Sequence, residues 1–191
     1  AGTLSAAGFR VVLVSSSLVF DGMRAMPGPD DPPTPACEYG RQKATLESLL
    51  PEGSAIVRVT KIAESLEPRL RGWREFLRNH GTIRATSRLR LAPVALADLT
   101  GQLAFLAGSF QPGVFQLSAA DDLSYFELAG MLAGSLGFAA SSVTDDPVDV
   151  DRWFERIGSH AALAARPPQP GWTSPPSALI LRALIASRIA P

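Results

Sequence analysis

The chain has 191 residues, 46% apolar and 19% charged, which excludes a disordered segment and allows one domain with a sizeable core. Its 18 basic and 18 acidic side chains cancel, so no basic stripe points to nucleic acid and no charge block to a tail. A single cysteine, Cys37, excludes an internal disulfide framework and a cysteine-based zinc site, and it fits a cytoplasmic protein.

Residues 1–8 read as a helix end with Gly8 as its C-cap. Residues 10–16 are an apolar, β-branched run, suited to a parallel strand buried on both faces. Pro27, Pro29, Pro32, Pro33 and Pro35 make residues 21–37 a loop. A helix is expected over 38–50, stopping before Pro51, and a second buried strand over 54–60. Residues 69–80 read as an amphipathic helix with Trp73, Phe76 and Leu77 inward and Arg71, Arg74 and Arg78 outward.

A further helix is expected from Asp98 to Ala107, ended by Gly108, and then a strand over 114–118. Residues 99–120 carry no charge, but Gln102, Gly108, Gln111, Pro112 and Gly113 interrupt them, so no membrane span is expected. Ser124 and Glu127 have the spacing of a capping box for a helix running to Leu136. Five prolines make residues 166–176 a rigid connector, and 177–189 return to a helical pattern. Alternating strands and helices give an α/β fold with a parallel sheet.

One constellation carries chemistry. The first strand ends in Ser15-Ser16-Ser17, and after the Pro-rich loop come Tyr39 and Lys43, four apart and therefore on one helix face. A phenol is a poor proton donor or acceptor near neutral pH because its ordinary pKa is ~10. A nearby ammonium stabilises the phenolate and brings it toward useful proton transfer. A hydroxyl at the C-terminal end of a strand lies where open α/β sheets bind ligands, and it can hold a substrate carbonyl. Hydride must come from a cofactor, because no side chain supplies it. A Tyr-x-x-x-Lys pair alone is common and mostly structural. The combination of buried strand, serines, acidic Pro-rich loop and Tyr-Gly-Arg-Gln-Lys is what singles this chain out.

The run from Val14 to Gly22, Ser-Ser-Ser-Leu-Val-Phe-Asp in its interior, resembles the strand-and-turn motif of the dTDP-4-dehydrorhamnose reductase family of extended short-chain dehydrogenase/reductases. Asp30-Asp31-Pro32-Pro33 with Tyr39-Gly40-Arg41-Gln42-Lys43, then Ile56-Val57-Arg58-Val59-Thr60, resemble the segments that follow. Ala92-Pro93-Val94, Gly113 to Ser118 and Ser124-Tyr125 resemble the later part, so the likeness runs from about residue 8 to about residue 138.

The resemblance implies the C-terminal part of a Rossmann-type parallel sheet with a small, mostly helical substrate lobe interleaved. Residues 1–60 and 108–118 would belong to the NAD(P)-binding domain, and residues 61–107 and 119–191 to the lobe. No Gly-rich dinucleotide turn precedes Ser16, and the chain opens on Ala1, so it is expected to be a piece of a longer chain.

By the same resemblance Ser16, Tyr39 and Lys43 are the catalytic residues. Ser15, Tyr39 and Lys43 contact NADP or NAD, and Ser16, Ser17 and Lys61 meet a nucleotide-sugar. The implied activity is NAD(P)H-dependent reduction of a keto-sugar. A sugar-nucleotide epimerase and a non-catalytic nucleotide-sugar binder stay open, as does a homodimer. The rhamnose-forming reductases usually carry Thr-Asp-Tyr where this chain has Ser16-Ser17-Leu18, and a Trp where it has Lys61, which argues against the rhamnose precursor. Sugar-nucleotide dehydratases place Asp-Glu after the catalytic Thr. Ser17-Leu18 cannot do that acid–base work.

The other chemically capable residues read as structural. Cys37 is expected to be a loop thiol, and His80 and His160 lack metal-ligand spacing. Asp145, Asp146, Asp149 and Asp151 read as loop acids, and Trp73, Trp153 and Trp172 as packing residues. One or two of Arg69, Arg71, Arg74 and Arg78 are candidates to meet a diphosphate.

Overall fold

The computed structural model describes residues 8–146 and 158–189. Residues 1–7, Asp149, Asp151 and Trp153 lie outside them. The framework is a three-stranded parallel sheet of β1 (Val12–Ser16), β2 (Ala55–Val59) and β7 (Gly113–Leu117), in the order β1-β2-β7. The register sets Ser16 opposite Val59, and Val59 opposite Leu117, so all three strands end level at one edge. Three pairs of short strands complete the topology. β3 (Lys61–Ile62) pairs with β6 (Pro93–Val94), β4 (Ile83–Ala85) with β9 (Val143–Asp145), and β5 (Arg90–Leu91) with β8 (Leu123–Ser124).

The central strand is the most apolar, as burial on both faces requires. Ala55, Val57 and Val59 share a cluster with Phe115, Leu117 and the helix α3 (Leu96–Gly108), through Leu99 and Leu106. That helix falls within the range expected for the lobe, yet it packs on the sheet. At β7's far side the 166–176 connector supplies Arg166, which exchanges both backbone hydrogen bonds with Gln116. β1 is an edge strand, with Val14 and the preceding Phe9 exposed.

The helices start and stop where the sequence provides caps. α1 (Glu38–Ser48) is capped by Cys37, whose sulfur accepts from the Gly40 N–H at 3.4 Å, so this thiol has a structural place. α2 (Glu67–His80) has Pro68 in its first turn, where the missing N–H costs nothing, and is followed by Gly81 with φ 75°, a left-handed turn that glycine adopts freely. α4 (Tyr125–Ser135) carries the expected capping box. Ser124 Oγ accepts from Glu127 N, and Glu127 Oε2 accepts from Ser124 N. These bonds to the charged carboxylate hold the Glu127 pKa below its ordinary value. α5 (Ser177–Arg188) starts after Pro176, with Asp121 accepting from Ser177 N at 2.6 Å.

The second core lies between α2, α4 and α5, around Leu70, Leu128, Leu132, Leu181 and Leu184. Two expectations for α2 are corrected here. Phe76 is half-exposed and stacks on His80 instead of entering the core. Arg74 turns inward enough to donate to the Ile189 carbonyl at 2.8 Å, tying α2 to the end of α5. The apolar face of α2 is narrower than its sequence pattern, with Leu70 and Leu77 fully buried and Trp73 partly so.

Candidate active site

The level strand ends open onto a cavity of about 650 Å³. Ser16, Ser17, Tyr39 and Lys61 all line it, which brings four of the expected site residues onto one surface. Ser15 and Lys43 are not among its lining residues.

Ser16 closes β1 and N-caps the 3₁₀ turn Ser17–Val19, accepting from Leu18 N at 3.2 Å. Because Oγ is the acceptor in that bond, its own O–H remains free to donate into the cavity. α1 then packs directly on this turn. A side chain at Gly40 would run into the Leu18 carbonyl, so the glycine in Tyr-Gly-Arg-Gln-Lys is required by close approach.

This contact fixes the helix start that carries Tyr39, whose ring is 50% exposed. Lys43, one turn on, holds its ammonium 5.7 Å from the Tyr39 ring centroid and donates to the Val14 carbonyl at 3.0 Å. One of its three N–H donors is so engaged. Ser15 points the other way from Ser16, as strand alternation demands, and its buried hydroxyl has no hydrogen-bond partner.

A buried network sits beneath. Glu47, on α1 at the next position of the Tyr39–Lys43 face, meets Arg58 of β2 at 2.8 Å with both side chains almost wholly buried. Arg58 also reaches the Pro29 carbonyl and Gln116 Oε1 and lies 5.0 Å over the Phe20 ring. Gln116 donates to the Pro27 and Ala164 carbonyls. The Pro-rich loop is therefore pinned from below at Pro27 and Pro29.

The far wall comes from the helical part. Arg69 of α2 lies 5.1 Å from the Tyr125 ring centroid and 5.7 Å from that of Trp73. Of the four arginines on α2, Arg69 lines the cavity, whereas Arg71 pairs with Glu67 and Arg74 binds Ile189. Burial raises the Tyr125 pKa, with Arg69 opposing it. Lys61 has its pKa lowered, first by the protein packed around its ammonium and then by the like charge of Arg69.

Arg90, Thr86 and His160 also line the cavity and were missed as site residues. They come from irregular or two-residue elements that carry no periodic signal. His160, read from the sequence as structural, lines the cavity from a strap of residues 158–163. Its Nδ1 is 3.4 Å from Asp122, and Gly158 N donates to the Asp21 carbonyl while His160 N donates to that of Gly22. A side chain on Gly22 or Gly158 would strike the opposite backbone. Among the described residues no three metal-ligating side chains cluster, and no helix is long and apolar enough to cross a membrane.

The architecture matches solved structures. A dTDP-4-dehydrorhamnose reductase from Clostridium acetobutylicum superposes with a TM-score of 0.75 at 17% identity, covering 96% of this chain and 67% of that one. The same enzyme from Bacillus anthracis, in complex with NADP, gives 0.75 at 18% identity, over 96% and 67%. This chain has the fold of the dTDP-4-dehydrorhamnose reductases. MoeE5 in complex with UDP-glucose and NAD gives 0.72 at 22% identity, over 98% of this chain and 66% of that one. The chain thus spans about two thirds of the length of each of these proteins. No protein-family profile and no curated protein matches it by sequence.

Proposed function

We propose that the chain is the substrate-holding and proton-transferring part of an NAD(P)H-dependent reductase acting on the keto group of a nucleotide-activated sugar. The observation that carries this reading is the shared cavity wall of Ser16 and Tyr39, with the Lys43 ammonium beside the Tyr39 ring. The free Ser16 O–H holds the substrate carbonyl oxygen. Tyr39 gives that oxygen its proton as hydride reaches the carbon. Lys43, anchored on Val14, keeps a positive charge beside the phenol as the proton leaves. The Pro-rich loop and the 158–163 strap enclose the site against water.

NAD(P)H supplies the hydride when bound. Lys43 keeps free donors that would hold its ribose, whereas Ser15, expected to contact the cofactor, is buried on the side of β1 away from Ser16. Among the described residues no strand feeds a Gly-rich turn into a helix, so a pyrophosphate cradle is not found there. We assign residues 1–60 and 108–118 to the cofactor-binding part, with α3 packed on it, and the remainder to the substrate lobe.

The test is Tyr39→Phe in the reductase, followed by NAD(P)H consumption with a panel of nucleotide keto-sugars. Removing the transferable proton should lower turnover by ~10²–10⁴-fold and leave cofactor affinity intact. Turnover equal to the parent would overturn the assignment.

A further inference from the structure

Among the described residues the cavity lining has an unbalanced charge: Lys61, Arg69 and Arg90 line it, and no Asp or Glu does. None of the three makes an ion pair among the described residues. The nearest compensation is the attraction between Arg90 and Glu127, whose carboxylate is already held by Ser124. Lys61 and Arg69 repel one another instead. Cations held together without a partner mark a place for an anion.

The two kinds of cation suit different groups. A guanidinium offers a planar fork matched to phosphate oxygens, and the two arginines face the cavity from the helical side and from β5. Arg69 is further fixed between the Trp73 and Tyr125 rings. Lys61 is a point charge, and its place is different. It lies two residues past Val59, the register partner of Ser16, or roughly 6–7 Å along an extended chain. It therefore follows the residue opposite Ser16 on the neighbouring strand, and lines the same cavity as Ser16. A diphosphate ester brings two negative charges, which the two arginines match. The lysine charge is left over, at the sugar.

We propose that the sugar accepted by this cavity carries a carboxylate, bound by Lys61 beside the reacting carbon. This rests on the nucleotide-sugar reading above. It makes the substrate class a nucleotide-activated uronic acid or similar sugar acid.

The experiment is calorimetric titration of the reductase that contains this chain with UDP-glucuronic acid and UDP-glucose, and with the corresponding dTDP pair. Each pair differs only in the carboxylate, and each is run on the parent, Lys61→Gln and Lys61→Arg. Lys61 is an exposed residue, so these variants should fold as the parent does. The parent should bind the acid sugar about tenfold more tightly than the neutral one, the size of one charge-assisted hydrogen bond. Lys61→Gln should erase that preference and leave neutral-sugar affinity within about threefold, and Lys61→Arg should keep it. Equal affinity of the parent for both members of a pair overturns the carboxylate. So does Lys61→Gln weakening both equally, which would place Lys61 on the diphosphate and leave the nucleotide-sugar reading standing. No binding of any of the four overturns the nucleotide-sugar reading itself, and the carboxylate with it.

Discussion

Removing the Glu47 carboxylate should cost more stability than removing any surface acid of this chain. In Glu47→Leu the Arg58 guanidinium stays buried, 5% exposed, and among the described residues keeps the Pro29 and Gln116 oxygens and the Phe20 ring as partners. Breaking one side of a buried pair costs about 3–5 kcal/mol, because the remaining charge is uncompensated. For a chain of this size each kcal/mol moves Tm by about 2–4 °C, so a fall of roughly 6–20 °C is expected. The exposed pair Arg166–Asp30 offers the contrast, since its side chains are 48% and 80% exposed. Asp30→Asn should leave Tm almost unchanged.

The double variant Glu47→Leu with Arg58→Met removes both charges. It leaves the Pro29 and Gln116 oxygens without their donor, at about 1–3 kcal/mol, and so should be more stable than Glu47→Leu alone. Thermal and urea unfolding of the parent, both single variants and the double variant give the coupling directly. Strictly additive losses, or a Glu47→Leu protein within about 1 kcal/mol of the parent, would refute the reasoning. Glu47 also continues the helix face of Tyr39 and Lys43, so the ion pair ties the candidate proton donor's helix to the central strand.

Two other substitutions test how the site is held. Gly40→Ala places a methyl group against the Leu18 carbonyl and should lever α1 off the Ser16 turn, lowering both Tm and turnover; an unchanged Tm would show that the close approach is not required. Ser124→Ala removes the capping box of α4 and should cost about 0.5–2 kcal/mol in urea unfolding, while Glu127→Gln, which keeps an acceptor, should cost less.

The sheet was legible because each strand carries a short β-branched, aliphatic or aromatic stretch, at residues 12–14, 55–57 and 114–115; β1, expected to be buried on both faces, is instead an edge strand with Val14 exposed. The helix starts at Glu38 and Tyr125 were legible through proline, glycine and capping chemistry that acts within a few residues. Phe76 and Arg74 were misplaced because a helical period fixes only which residues share a face. It does not say how wide a stripe the neighbours cover, and here α5 ends where Arg74 can reach it. The six short strands carry no pattern of their own. Two or three residues are too few to show a period of two, and their partners lie far away in the chain.

The two halves of the site differ for the same reason. Ser16, Tyr39 and Lys43 were readable because a strand end, a loop and one helix turn place them, all within residues 12–48. The opposite wall is assembled from Lys61, Arg69, Arg90 and His160, which approach one another only after α2, the β5–β8 pair and the 158–163 strap have packed. Net charge gave no hint of it, since the whole-chain balance of 18 against 18 hides a local excess. The balance is instead met by pairing elsewhere. Arg24, Arg41, Arg58, Arg71, Arg84 and Arg166 each have a carboxylate, while the cations facing the cavity have none among the described residues. The proposed reaction machinery is thus written locally in the sequence, and the proposed substrate's charge only in the pattern of what the fold leaves unpaired among the described residues.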